Sequence, residues 1–157
     1  MIQKELKYNK DLLSEWRKKS LRELWWEKYG VFDCEDLRIA ITQSRHGYHF
    51  GEWYVATKFA KQGYKVLVEK YRSHKTHKQK YDKLFDYFTP EEVDFLTKSK
   101  NQPPDLFVFN KKERFFVEVK RDTDKMSPSQ KKFFEEIEKR LRCEILIYHL
   151  RLSEEAL

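Results

Sequence analysis

Two carboxylates and a lysine lie at the ends of two short apolar stretches that have the pattern of a β-hairpin. Asp105 begins the first stretch, and Glu118 and Lys120 end the second. A turn centred on residues 111–112 places Asp105 directly opposite Glu118, with Cβ atoms about 5 Å apart. Lys120 is two residues beyond Glu118, so its side chain projects from the same face of the hairpin.

This pairing sets two negative charges directly across from each other, which destabilises a sheet unless the charges are compensated. A divalent cation between Asp105 and Glu118 is the most direct compensation, and Mg²⁺ prefers oxygen ligands. The alternative is a hairpin end at which solvent screens the charges. The pattern predicts a cation site with Lys120 beside it.

The composition of the 157-residue chain predicts one globular domain with a small appendage. Charged residues make up 38% of the sequence, but 12 Phe, 9 Tyr and 4 Trp argue against disorder. The net charge of +7 favours a polyanionic partner, with nucleic acid first and an anionic membrane surface second.

The sequence contains no apolar run long enough to cross a membrane and no signal peptide after Met1. Cys34 and Cys143 form no spaced motif. We therefore expect two reduced thiols in an intracellular protein, cytoplasmic or nucleoid-associated. A single disulfide between the two cysteines is the alternative.

Hydrophobic periodicity and capping signals predict an N-terminal helical extension over 1–45 and a core over 46–157. The extension contains helices at 11–29 and 33–41. The expected core elements are a helix at 52–62, a strand at 64–71, a helical insertion near 78–100, the hairpin, a helix at 127–142 and a strand at 144–150. This order predicts an α/β fold with a mixed central sheet flanked by helices.

The hairpin residues Pro104-Asp105 and Glu118-Val119-Lys120 resemble the signature of the PD-(D/E)xK nuclease superfamily. More narrowly, the chain resembles the virus-type replication-repair nuclease (VRR-NUC) domain over roughly residues 48–152. That family continues past its lysine with an aspartate, a basic residue, an apolar residue, a serine and a glutamine. The residues at matching offsets here are Asp124, Lys125, Met126, Ser127 and Gln130.

The resemblance implies a restriction-endonuclease-like core and a site that holds Mg²⁺ or Mn²⁺. It assigns metal binding to Asp105, Glu118, the carbonyl of Val119, and Glu52, which matches a glutamate on the family's first core helix. Lys120 would hold the attacking water or neutralise charge on the phosphate. The catalytic set implied is Asp105, Glu118, Lys120, Glu52 and Gln130.

Two of these family positions also have a structural interpretation. Gln130 is the third residue after Ser127, so its side chain either completes a capping box or contacts Lys120 or a water in the site. Asp124 either stabilises a turn or acts in the site. The sequence departs from the family at Gln102-Pro103 and Arg121-Asp122, where the family has glycines and Gly-Pro.

The expected activity is that of a divalent-metal-dependent DNA endonuclease acting on branched, flapped or junction DNA. One alternative is a sequence-specific restriction-type enzyme on the same core. Another is a non-catalytic DNA-binding or assembly subunit that retains the fold. Relatives made of this domain alone resemble junction resolvases that act as dimers, so a homodimer is one expectation.

A basic run between the predicted strand and the helical insertion suits contact with a DNA backbone, although a solvated loop is the simpler interpretation. The nucleic-acid-binding residues predicted in the run and in the loop after the hairpin are Arg72, Lys75, Lys78, Lys80, Arg121 and Lys125. The spacings His46-x-x-His49 and His74-x-x-His77 hint only weakly at zinc, because no Cys-x-x-Cys partner accompanies them.

Overall fold

The computed structural model describes residues 1–18, 49–69, 71–72, 75 and 77–154. The described part of the chain forms one five-stranded sheet with helices on both faces. The elements in chain order are β1 (Ile2–Asn9), α1 (Lys10–Arg17), α2 (Phe50–Lys61), β2 (Lys65–Val68), α3 (Lys78–Leu84), α4 (Pro90–Thr97), β3 (Leu106–Phe109), β4 (Arg114–Arg121), α5 (Pro128–Leu141) and β5 (Ile145–Ser153).

The sheet is mixed, with strand order β1-β5-β4-β3-β2. Strands β2, β3 and β4 pair antiparallel, whereas β5 runs parallel to β4 and β1 parallel to β5. Helix α2 covers one face of the sheet, and α5 covers the other together with the helical insertion. All four residues of β3 are buried, as a strand covered on both faces requires. The predicted α/β class is confirmed.

The hairpin has the register that the sequence predicts. Leu106 pairs with Val117 and Phe109 with Arg114, and the amide of Asn110 donates to the carbonyl of Glu113 at 3.0 Å. One further step along this ladder brings residue 105 opposite residue 118. The turn therefore fixes which two acidic residues face each other at the far end of the hairpin.

The first strand differs from the prediction of an N-terminal extension made of helices. Residues 2–9 pair with β5 over their whole length and form an edge of the sheet, and only Tyr8 among them is buried. The charged side chains of this strand are exposed, as is usual for an edge strand, and this hides the apolar alternation. Helix α1 lies within the predicted helix at 11–29, while the predicted helix at 33–41 lies outside the described residues.

The helical insertion lies between β2 and β3 and consists of α3 and α4. Helix α4 begins with a capping box, in which the side chains of Thr89 and Glu92 each accept a hydrogen bond from the other's backbone amide. Helix α3 begins at Lys78, where the predicted helical insertion near 78–100 begins. Among the described residues, no helix is long and apolar enough to span a bilayer. Cys143 is a free, buried thiol, and Cys34 lies outside the described residues.

The buried position of Lys80 corrects its predicted role as a DNA-contacting residue. Its side chain is fully buried, and Nζ donates to the carbonyls of Val68 at 2.5 Å and Glu69 at 3.1 Å. A buried ammonium group needs such partners because removal from water is costly. Lys80 therefore ties α3 to the end of β2 and does not reach the surface.

Replacing Lys80 by methionine should destabilise the protein. Lys80→Met keeps the length of the side chain but leaves the carbonyls of Val68 and Glu69 without this donor. We expect the free energy of unfolding to fall by about 1–3 kcal/mol, measured by urea denaturation. The control is Lys75→Met, at an exposed position, which should change stability by less than about 0.5 kcal/mol. Equal free energies of unfolding for the two variants would contradict a stabilising role for the hydrogen bonds of Lys80.

Candidate active site

The two acidic residues at the end of the hairpin are held in place by each other's strands. The amide of Asp105 donates to Oε1 of Glu118 at 3.1 Å, and the amide of Val119 donates to Oδ2 of Asp105 at 2.9 Å. Glu118 is buried, while Asp105 is half-buried at the edge of the site. Each carboxylate thus accepts a backbone hydrogen bond through one of its oxygens, so the hairpin sets the positions of both groups.

Lys120 and Gln130 form a closed set of contacts with Glu118. Nζ of Lys120 lies 3.1 Å from Oε2 of Glu118 and donates to Oε1 of Gln130 at 3.2 Å. Nε2 of Gln130 donates to the same Glu118 oxygen at 2.6 Å. Only the backbone amide of Gln130 takes part in capping α5, by donating to Oγ of Ser127 at 3.1 Å. Its side chain therefore lies in the site, the second of the two interpretations.

Two further carboxylates and an imidazole adjoin this set. Glu69 directly follows β2, and its amide donates to the carbonyl of Asp105 at 2.7 Å. Glu52 comes from the first turn of α2, and His49 precedes that helix. Nδ1 of His49 lies 2.7 Å from Oε2 of Glu69, and ligand atoms of His49, Glu52 and Glu69 all lie within 4.8 Å of one another.

The pKa values of the acidic residues reflect this crowding. Burial raises the pKa of Asp105 well above its usual range, and the charges of Glu118, Glu52 and Glu69 add to the effect. Burial, together with the charge of Glu69, raises the pKa of Glu52 to about 7. The site therefore carries more negative charge than Lys120 and His49 balance, and a bound cation would relieve the repulsion.

Sequence reasoning missed Glu69 as a member of the site. The segment 64–71 was expected to be one strand, but β2 ends at Val68, and Glu69 adopts a left-handed backbone conformation with φ 48°. The sequence signal that could have located Glu69 is an acidic residue directly after three consecutive apolar residues. His49 was noted only for the weak zinc spacing. Its spacing partner His46 and His74 lie outside the described residues, and His77 is buried at the start of α3.

The structure separates the predicted DNA-contacting residues into different environments. Lys75 and Lys78 are exposed, and Lys78 pairs with Asp82 one turn along α3. Arg121, the last residue of β4, is half-buried, and Lys125 is exposed in the loop that follows. In the same loop, Asp124 is exposed, and its amide donates to the carbonyl of Arg121 at 3.1 Å.

Arg72 lines a cavity of about 310 Å³ together with His49, Glu69 and Asp105. Its Nη1 atom is buried and has no hydrogen-bond partner within the part of the chain that the structure describes. A guanidinium group is well suited to donate to phosphate oxygens. The cavity thus offers a positive group directly beside the acidic cluster.

Residues 35–151 match the VRR-NUC domain. The chain belongs to the VRR-NUC family. No curated protein matches the chain as a relative. Membership makes the domain a nuclease domain with DNA as its substrate class, and the matched segment contains every residue of the site described above. The match begins ahead of residue 46, so the predicted boundary between the extension and the VRR-NUC domain stays a prediction.

The donor set of the VRR-NUC site suits a divalent metal, on which nucleases of this family generally depend. Carboxylate oxygens from Glu52, Glu69, Asp105 and Glu118 are the ligands that Mg²⁺ and Mn²⁺ prefer. The imidazole of His49 is a ligand that Mn²⁺ accepts more readily than Mg²⁺. The raised pKa values show that the carboxylates are poorly compensated by the protein alone.

Stability without metal should fall as pH rises. Glu52 releases its proton near pH 4.5 when unfolded but holds it to about pH 7 when folded. The folded state therefore binds more protons between these values, and this group's stabilising effect is lost as pH rises through them. We expect thermal unfolding with EDTA to show a loss, of at most about 3 kcal/mol from Glu52, between pH 5 and pH 8.

The matched variant for this measurement is Glu52→Gln, which cannot ionise at this position. Its stability should depend less steeply on pH than that of the wild type, and Mg²⁺ should stabilise the wild type more than the variant at about pH 8. The same pH slope in both proteins would show that Glu52 does not carry the effect.

Proposed function

We propose that this VRR-NUC domain is a divalent-metal-dependent DNA endonuclease that hydrolyses phosphodiester bonds in branched, flapped or junction DNA. The observation that carries the proposal is the convergence of Asp105, Glu118, Lys120 and Gln130 at the end of one hairpin. Lys120 touches the same Glu118 oxygen as Gln130, so a positive charge lies at hydrogen-bond distance from a carboxylate ligand. A solvated hairpin end would not need these mutual contacts.

In the proposed mechanism, Asp105, Glu118 and the carbonyl of Val119 would hold one Mg²⁺ or Mn²⁺. Glu52, with Glu69 and His49, forms the side of the site that would hold a second ion. A bound divalent ion supplies a water of lowered pKa and stabilises negative charge on the phosphate. The buried position of Glu118 keeps its carboxylate directed at the site instead of at solvent.

Lys120 provides the protein's own charge at the reacting phosphate. Gln130 accepts from Nζ of Lys120 and donates to Glu118, so one amide side chain sets the positions of both. Lys120 then holds the attacking water or neutralises the negative charge that develops on the phosphate oxygens. The water attacks phosphorus, the bond to the 3′ oxygen breaks, and the products carry a 5′-phosphate and a 3′-hydroxyl.

Arg72 extends this site toward the DNA. Arg72 lines the cavity that is also lined by Asp105 and Glu69. A phosphate next to the bound metal would accept a hydrogen bond from Arg72. Lys75, Lys78, Arg121 and Lys125 remain candidates for contacts to phosphates farther along the strand.

The decisive experiment is cleavage of a DNA panel made of flaps, four-way junctions, duplex and single strands. We expect the wild type to cut branched DNA in Mg²⁺ and to be inactive in EDTA. Asp105→Asn removes one ligand charge and should lower cleavage by orders of magnitude. Its folded state should hold or gain stability without metal, because repulsion with Glu118 is reduced.

The control for this experiment is Asp94→Asn, the same chemical change at an exposed position on α4. It should cut the panel at the wild-type rate. Near-normal cleavage by Asp105→Asn in Mg²⁺ would refute the assignment of the site. Preference for one duplex sequence over all branched substrates would favour the restriction-type alternative.

Removing the lysine should separate metal binding from chemistry. Lys120→Ala should bind Mn²⁺ as well as the wild type or slightly better, because a nearby positive charge is lost. Single-turnover cleavage should fall about 100- to 1,000-fold, since a preorganised charge at the transition state is lost. Calorimetric titration with Mn²⁺ and a cleavage time course measure both effects.

The matched control is Lys132→Ala, on the exposed side of α5. It removes the same charge outside the site and should leave both quantities unchanged. If Lys120→Ala instead loses Mn²⁺ binding and cuts at the wild-type rate at saturating metal, the lysine supports the ligands and takes no part in the chemistry.

A further inference from the structure

Strand β1 reaches the loop after β4 through the side chain of Tyr8. The strand precedes residues 35–151, which match the VRR-NUC domain, and it forms the edge of the sheet beside β5. Tyr8 is buried, and its hydroxyl donates to both carboxylate oxygens of Asp122, at 3.0 and 2.9 Å. This contact joins two residues that are 114 positions apart in the chain.

Asp122 begins the loop between β4 and α5, and several contacts hold it in place. Its amide donates to the carbonyl of Leu150 at 2.9 Å, and its own carbonyl accepts from Nη1 of Arg151. Its backbone is left-handed, with φ 57°, a conformation that aspartate adopts more readily than most residues. Its carboxylate lies 3.8 Å from Nε of Arg121 and accepts the closer hydrogen bonds from Tyr8. The main chain therefore leaves the end of β4 along a defined path.

Both ends of this loop carry residues of the active site. Lys120 lies two residues before Asp122, and Gln130 lies in the first turn of α5 at the far end. Nζ of Lys120 and Nε2 of Gln130 both contact Oε2 of Glu118, at 3.1 and 2.6 Å. A change in the path of the loop would therefore alter both of these distances.

The ring of Tyr8 contacts the helix that carries another acidic residue of the site. It packs edge-on against the ring of Phe50, with ring centroids 5.4 Å apart. Phe50 is the first residue of α2, and Glu52 lies in the first turn of the same helix. Through its ring and its hydroxyl, Tyr8 thus connects the start of α2 with the loop after β4.

The Tyr8 hydroxyl remains a hydrogen-bond donor at neutral pH. Burial raises the pKa of Tyr8 to about 12, and the hydrogen bond and charge of Asp122 add to the effect. The ionised carboxylate of Asp122 can only accept, so the direction of the hydrogen bond is fixed. Hydrogen bonds to an ionised group are stronger than those between neutral groups, which suits this contact to holding a loop.

We propose that Tyr8 is a positioning residue for the nuclease reaction, and that β1 is thereby a working part of the active site. The inference rests on the proposed endonuclease function and adds to it a residue outside the matched segment. The Tyr8 hydroxyl holds Asp122, and this anchored loop allows Lys120 and Gln130 to meet at Glu118. Misplacing such groups by about 1 Å can lower a reaction rate by about 100-fold.

The first test is Tyr8→Phe, which removes one oxygen atom and keeps the ring against Phe50. We expect single-turnover cleavage at saturating flap DNA and Mg²⁺ to fall about tenfold, because Lys120 and Gln130 are less well placed. Affinity for Mn²⁺, measured by calorimetric titration, should stay close to that of the wild type, since the carboxylates that would hold the metal are unchanged.

Two further variants separate positioning from a general loss of stability. Tyr64→Phe removes a tyrosine hydroxyl that donates to the carboxylate of Glu113, at the turn end of the hairpin, and should cut at the wild-type rate. Asp122→Asn keeps an oxygen acceptor for Tyr8 and tolerates the left-handed backbone, so it should retain most of the rate. Wild-type cleavage by Tyr8→Phe, or equally slow cleavage by Tyr64→Phe, would overturn the proposal.

A second measurement needs neither metal nor DNA. Nε2 of Gln130 donates to Glu118 at 2.6 Å, so the ¹H–¹⁵N NMR signal of this side-chain amide reports the contact. The signal is assigned by its absence in Gln130→Glu. We expect it to shift in Tyr8→Phe and to stay in place in Tyr64→Phe. An unchanged signal in Tyr8→Phe would show that the hydroxyl does not position Gln130.

The two measurements distinguish failure of this inference from failure of the function on which it rests. If the wild type cuts flap DNA, and Tyr8→Phe matches it in both rate and NMR signal, then Tyr8 has only a structural role. If the wild type cuts no DNA in the panel, the proposed function fails. The inference about the reaction then falls with it, even if the Gln130 signal shifts.

Discussion

The electrostatic repulsion between Asp105 and Glu118 is the constraint on which the rest of the structure depends. Two carboxylates at this spacing persist only because each accepts a backbone hydrogen bond and because Lys120 and Gln130 contact Glu118. The strands that bring them together are the most deeply buried part of the sheet, so the core supplies the free energy that this arrangement costs. Stability and function therefore oppose each other at one end of the hairpin.

The supporting residues come from elements that are far apart in the chain. The end of β2 brings Glu69 to the site, the first turn of α2 brings Glu52, and the first turn of α5 brings Gln130. Each lies at the end of an element, where the backbone leaves its regular path. Consequently a shift of any one helix against the sheet would alter the distances among the acidic groups, while the hairpin itself could remain intact.

The sequence predicted those parts of the site that short-range geometry determines. A turn of fixed length sets the register that pairs residue 105 with 118, and the alternation of a strand places Lys120 on the same face. Glu69 could not be located in this way, because where β2 ends depends on its pairing with β3. The lysine-rich run indicated solvent exposure for Lys80, and only tertiary packing reveals that this side chain is buried. The sequence of β1 is also rich in charged residues, and only its pairing with β5 reveals that it is a strand of the sheet.

The buried ammonium group of Lys80 makes the helical insertion and the end of β2 one cooperative unit. Helix α3 cannot open without breaking the hydrogen bonds to the carbonyls of Val68 and Glu69. Amide protons in α3 and in the last residues of β2 should then exchange with solvent through a common opening event. A partner that binds the outer face of the insertion would also restrain the backbone of Glu69, because Lys80 connects the two. Such binding would limit fluctuations in the catalytic centre.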